Sequence, residues 1–201
     1  MALNSHMAHA GREGKSGTLK AARWLIAGWL LSSPLLAAPV GPTREFQVKA
    51  VFLYNFAQFV EWPAESFPSA DSPLVIGVLG LDPFGTFLDE TVQDEKVNGR
   101  ALVVKRFRSI GEVRDCHILF VSGSEGGRAE EIVSALQGRS VLTVCDWEGL
   151  ARHGAMIRFT TERNRVRLRI NLEAAKAAGL NISSKLLRSA ESVTRHHPPS
   201  R

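Results

Sequence analysis

Leu74–Gly80, LVIGVLG, decides the fold. The run carries no charge, is preceded by Pro73 and closes on a glycine, which reads as a strand covered on both faces. Leu81-Asp82-Pro83-Phe84 then turns the chain. Pro83 is placed to open a helix running to about Gln93, with Asp82 as its N-cap. The same unit recurs downstream. After a turn at Val97-Asn98-Gly99-Arg100, Ala101–Phe107 is a second strand, followed by a short helix near Gly111–Arg114. Cys116–Val121, CHILFV, is a third; a corner rich in Gly and Ser leads into a helix over Arg128–Gln137. Ser140–Cys145, SVLTVC, is a fourth, followed by a short helix over Asp146–Arg152 capped by Asp146. Met156–Thr160 and Val166–Ile170 flank Glu162-Arg163-Asn164 and read as a hairpin. Asn171 caps a helix over Leu172–Ala178. A last helix over Ile182–Val193 starts at Ser183 or Ser184, with Ile182, Leu186, Leu187, Ala190 and Val193 in one stripe. The predicted fold is a three-layer α/β sandwich, with a largely parallel central sheet and an antiparallel hairpin at one end.

Upstream lies Arg44–Pro63, REFQVKAVFLYNFAQFVEWP, a helix crowded with aromatics. At 100° per residue, Val48, Phe52, Phe56, Phe59 and Val60 share one broad side, and Gln47, Tyr54, Gln58 and Glu61 gather on the other. Pro63 is expected to end the helix, with Trp62 at its exit. Its apolar breadth marks a core helix covering the sheet. A second reading adds a recognition surface for a partner at its exit, formed by Tyr54, Asn55, Gln58, Glu61 and Trp62.

The N-terminal end reads as an export signal. Arg12, Lys15, Lys20 and Arg23 precede the apolar run Trp24–Leu36, and the small residues Ala37 and Ala38 follow. Residues 1–38 are therefore expected to be a signal peptide, 39–195 a single domain and 196–201 a loose tail. Four of the chain's 25 basic residues and one of its 20 acidic ones lie in that leader, so the net charge falls from +5 to +2 without it. That balance does not mark a nucleic-acid binder. Cys116 opens one predicted strand and Cys145 closes the next. Parallel pairing sets them roughly 13–16 Å apart, beyond the reach of a disulfide, so two buried free thiols are expected. No Cys/His spacing resembles a metal site, and no cofactor is expected.

Candidate sites fall in two places. In a parallel sheet ligands sit at the carboxyl ends of the strands. Here Asp82, Phe84, Ser122, Ser124, Asp146 and Trp147 occupy those ends, a candidate small-molecule pocket unless the two aspartates merely cap helices. Gly77, Gly80 and Gly85 lack the spacing of a dinucleotide or triphosphate loop. There is no G-x-S-x-G elbow, His117 sits inside an apolar strand, and Cys145 lacks a histidine partner, so no enzyme is expected. Arg163, Arg165, Arg167 and Arg169 alternate with Asn164, Val166, Leu168 and Ile170. One face of that strand is therefore all arginine: a solvated outer face, or a basic strip for an acidic partner or anionic headgroups.

From Arg44 to Val193 the chain resembles the YfiR family of exported bacterial proteins. The resemblance is carried by VKAVFLYNFAQFVEWP at 48–63, LVIGVLGLDPFG at 74–85, VNGR at 97–100, CHILFVS at 116–122, VLTVCD at 141–146 and INLEAAKAAGLNISSKLL at 170–187. It implies a periplasmic α/β protein without catalysis. Such a protein represses a membrane-anchored diguanylate cyclase by binding that enzyme's periplasmic part. By the same resemblance an outer-membrane lipoprotein sequesters the repressor, relatives dimerise, and some act on sensor kinases. The implied process is cyclic-di-GMP signalling, and through it biofilm formation and motility. Two departures stand out. The family's named member has two intramolecular disulfides, whereas this chain has two cysteines in all, so redox-linked stability does not carry over. Arg169 stands where many relatives are expected to hold an acidic residue.

Overall fold

The computed structural model describes residues 43–194. The expected export signal at 1–38 and the loose tail at 196–201 lie outside them.

The first helix, α1, spans Arg44–Phe59. It stops earlier than the proline suggests. Val60 turns extended, and Val60–Glu61 forms a short strand, β1. β-Branched Val60 finds an antiparallel partner in Ile182, and that tertiary pairing overrides the helical pattern. The order continues with β2 (Leu74–Leu79), α2 (Phe87–Val92), β3 (Lys96–Val97), β4 (Arg100–Phe107), β5 (Ile118–Val121), α3 (Ala129–Leu136) and β6 (Leu142–Cys145). Then come α4 (Glu148–Arg152), β7 (Ile157–Glu162), β8 (Arg165–Asn171), α5 (Leu172–Ala177), β9 (Asn181–Ile182), α6 (Ser184–Ser189) and β10 (Ser192–Thr194). A single 3-10 turn at Ile110–Glu112 replaces the short helix expected near Gly111–Arg114.

Eight strands form the main sheet in the order β10-β8-β7-β6-β5-β2-β4-β3. β4, β2, β5, β6 and β7 run parallel, and β7 turns antiparallel into β8. The expected parallel sheet with a hairpin at one end is what the chain builds. Two hairpins turn on paired left-handed residues: Asn98 and Gly99 between β3 and β4, and Arg163 and Asn164 between β7 and β8. Two-residue turns with positive φ at both positions match the twist of the flanking strands.

Strand alternation divides the core into two layers. Ile76, Val78, Ile118, Phe120, Leu142 and Val144 face one side, with Leu53 and Phe56 of α1, Leu88 of α2, Ala175 of α5 and Leu186 of α6. Leu79, Leu119, Val121 and Cys145 face the other, with Ile132 and Leu136 of α3 and Leu150 of α4. Burial on both faces explains why these strands read as unbroken apolar runs.

Four local expectations need correction. The helix predicted from Pro83 begins only at Phe87, because Asp82 Oδ1 accepts the Phe84 N–H at 2.7 Å and holds a turn instead of a cap. Asp146 does not cap α4, whose N-cap is Trp147; its carboxylate is drawn to a lysine on α1. The helix predicted over Ile182–Val193 is three elements, β9, α6 and β10. Ser192–Thr194 pairs in parallel with Arg169–Asn171, a partner that no local period reveals. Lastly, the buried residues of α1 are Lys49, Ala50, Leu53, Phe56 and Ala57, while Val48 is 39% exposed and Phe52 and Phe59 are half-buried. A helix apolar nearly all round does not declare its inner face.

A charged cleft at the ends of β6 and β7

β6 pairs with only Ile157 and Arg158 of β7, which then runs on past the end of β6. That overhang borders a cleft of about 450 Å³ beneath the N-terminal half of α1. At its base lies Lys49, 3% exposed. Its ammonium donates to Asp146 Oδ2 at 2.7 Å, pairs with Glu45 Oε1 at 2.7 Å and stands 4.5 Å from the centroid of Phe46. Burying an ammonium is tolerable only with such partners. The bond from Lys49 holds the Glu45 carboxyl below its usual range, helped by the Thr161 hydroxyl at 2.9 Å.

The far wall is equally paired. Arg158 contacts Glu148, and Arg169 lies 3.7 Å from Glu162 and 3.5 Å from Glu191. Arg158 Nε is buried without a hydrogen-bond partner. Three cations thus face four carboxylates of the lining, and the arrangement can order polar groups of both signs.

Of the six residues expected in a strand-end pocket, the cleft takes Asp146 alone. Phe84 is fully buried, edge-on to Phe120 at 4.8 Å and to Phe46 at 5.7 Å. Asp82 is held by Arg106 at 2.9 Å. Ser122 is buried, Ser124 Oγ accepts the Leu81 N–H at 3.0 Å, and the Trp147 indole donates to Val121 O at 3.3 Å. The ends of β2, β5 and β6 are therefore tied to one another, and the open space lies beside β7. Gly80 (φ +88°) makes this knitting possible, since a Cβ there would fall 2.4 Å from Ser124 Oγ.

Sequence reading missed Lys49 and Arg158. A lone lysine four residues after Glu45, inside an otherwise apolar helix, was the available signal. Its partner Asp146 lies 97 residues away.

The residues expected to meet a partner fall on two separate surfaces. Gln58 and Glu61 are exposed, and Asn55 and Tyr54 are half-buried at the end of α1. Tyr54 donates to Glu95 at 2.8 Å, and Glu61 accepts from Asn181 at 2.8 Å. Trp62 is half-buried, its indole donating to His117 O at 3.1 Å. Arg165, Arg167 and Arg169 are exposed on β8, opposite the face where Leu168 and Ile170 enter the core under α1. Arg169 also lines the cleft over Lys49, and Arg165 lines a groove beside Val48 and Phe52, so the strip borders α1 at its N-terminal half and not at its exit.

His117 is a satisfied core histidine. Its Nδ1 accepts the Val75 N–H at 3.1 Å and its Nε2 lies 3.2 Å from Ser66 O, an arrangement for the neutral ring protonated at Nε2. Burial keeps its pKa below the ordinary value. Cys116 and Cys145 are free and buried, each pushed up to about 12 by desolvation, which leaves no thiolate nucleophile at neutral pH. Among the described residues no group of three His, Cys, Asp or Glu side chains is placed to hold a metal ion.

A three-layer α/β protein with a self-neutralised cleft and separate polar and basic surfaces has the form of a binding module. The YfiR/HmsC-like family model matches residues 46–191, and the chain belongs to that family. The family is regulatory, acts through protein partners and has no known catalysis. A comparison with curated proteins returned no match. Among solved structures, the ABC domain in complex with L-Trp from Streptococcus pneumonia is similar over 71% of this chain and 59% of that chain, at 11% identity and a TM-score of 0.48.

Proposed function

We propose that this protein is an exported regulator that restrains a membrane-bound diguanylate cyclase by binding its periplasmic part, and so lowers cyclic-di-GMP and biofilm formation. The observation that carries the proposal is family membership across residues 46–191, nearly the whole of the folded chain. A repressor of this kind needs a surface and no reaction centre. The polar helix exit (Tyr54, Asn55, Gln58, Glu61, Trp62) and the arginine strip (Arg165, Arg167, Arg169) supply two surfaces. Two faces suit a protein that meets a cyclase on one side and an outer-membrane lipoprotein or a second copy of itself on the other. A sensor kinase in place of the cyclase is the closest variant of this reading. The test is capture of the purified periplasmic fragment of the host cyclase by the mature chain. Saturable binding supports the reading; binding to a periplasmic kinase fragment alone moves it to the kinase variant; binding to neither removes it.

A second reading is a small-molecule binding protein of the envelope. It is favoured by the cleft over Lys49, whose lining of both signs suits a small zwitterion. Thermal shift against a metabolite panel tests it, with a Tm rise abolished by Arg158→Ala expected.

A further inference from the structure

A groove of about 560 Å³ separates the N-terminal half of α1 from the tip of the β7–β8 hairpin. Its apolar lining is Val48, Phe52 and Val166. Val48 is 39% exposed, and Val51, one turn from Val48 on the same helix, is 44% exposed. These are two of the three large hydrophobic residues that stand exposed among the described residues. Exposed apolar side chains that cluster beside a groove call for an occupant more than scattered ones do.

The rim gives the occupant its sign. Arg44 enters from the start of the helix and Arg165 from the hairpin. Among the described residues neither is in an ion pair. The rim's carboxylate, Glu45, is already held by Lys49 at 2.7 Å and by Thr161 at 2.9 Å. Exposed Arg163 stands in the adjoining turn. The groove therefore presents an apolar floor between unanswered positive charges.

We propose that this groove receives an acidic segment of a partner protein, with an apolar side chain of that segment seated on Val48, Phe52 and Val166. The arginines select the acidic chain and speed its encounter, and the apolar floor holds it. The inference deepens the regulatory reading by naming the chemistry of the partner segment, and it is tested apart from that reading.

The probes are three fluorescein-labelled twelve-residue peptides. One combines Asp and Glu with two leucines, the second replaces its acids by Lys, and the third replaces its leucines by Ser. Anisotropy titration of the mature chain is expected to show the acidic leucine peptide binding at least about tenfold tighter than either control, and weakening as salt is raised. Val48→Asp and Arg165→Glu, both at exposed positions, are each expected to weaken it about tenfold with Tm unchanged. Equal binding of the three peptides, or indifference to both substitutions, overturns the inference. So does a result in which phosphatidylglycerol vesicles bind through Arg44 and Arg165 while the peptides do not. The cyclase fragment separates the two claims. If it binds both variants as well as it binds the parent chain, the groove inference falls and the regulatory reading stands. If it does not bind at all while the acidic peptide does, the groove stands and the regulatory reading falls.

Discussion

Lys49 Nζ and Asp146 Oδ2 meet at 2.7 Å, joining the first helix to the end of β6 across 97 positions of sequence. The pair fixes which face of α1 turns inward, and it draws Asp146 away from the helix it was expected to cap. Lys49→Met keeps the volume but strands two carboxylates. Asp146 and Glu45 are 18% and 39% exposed, so water softens the loss. About 2–4 kcal/mol is expected, at the lower side of the range for fully buried pairs. Adding Asp146→Leu to Lys49→Met is expected to recover part of it, since an apolar pair strands no charge. Urea denaturation measures both; strictly additive losses would contradict the pairing.

His117 makes stability depend on pH. Desolvation sets its folded pKa below the ordinary 6.5, so below pH 6.5 the unfolded chain takes up a proton that the native ring refuses. Stability from this group is full above that value and is lost as pH falls toward the folded pKa. Glu45, held down chiefly by its bond from Lys49, adds a second loss only below its ordinary 4.5. Tm is therefore expected to decline from pH 6.5 to 5 and to fall further in stronger acid. His117→Gln is expected to flatten the first part of that decline. A flat profile in the parent chain across pH 5–6.5 would count against a neutral buried ring.

The thiols are expected to be silent in the native state. Both are buried and both are pushed up to about 12 by desolvation. Cys145 is paired in register with Val121, and Cys116 precedes Val121 by five positions, roughly 16 Å of strand. An intramolecular bridge does not form across that distance. A thiol reagent at pH 8 is expected to modify neither cysteine in buffer and both in denaturant. Rapid native labelling, or a mass two hydrogens lighter under oxidising conditions, would refute this.

The layered fold was legible because its central strands are buried on both faces: LVIGVLG, CHILFV and SVLTVC announce themselves without alternation. Asn171 was a legible cap and Ser183 one of two adjacent candidates, and their side chains accept from Ala174 and Leu186 backbone N–H groups. What stayed hidden depended on distant partners. Val60–Glu61 and Ser192–Val193 read as helix until β9 and β8 pair with them. The cleft hid for the same reason, since Lys49, Asp146 and Arg158 come from three elements and share no local motif.

The helix exit divides into anchored and free residues. Trp62 packs edge-on against His117 at 6.1 Å and donates to its carbonyl, so Trp62→Ala is expected to cost about 2–3 kcal/mol, less than a fully buried aromatic. Tyr54→Phe removes only an exposed bond to Glu95 and is expected to change stability by less than about 0.5 kcal/mol. If this end meets the partner, Gln58→Arg lowers capture of the cyclase fragment with Tm unchanged. Unaltered capture by Gln58→Arg and Tyr54→Phe would assign contact to the arginine strip or the groove.

The regulatory role is tested most directly by the intracellular level of cyclic-di-GMP after deletion of the gene. The level is expected to rise, and to return when the full chain is supplied in trans. An unchanged level in the deletion strain, under conditions where the cyclase is made, would contradict repression of a diguanylate cyclase.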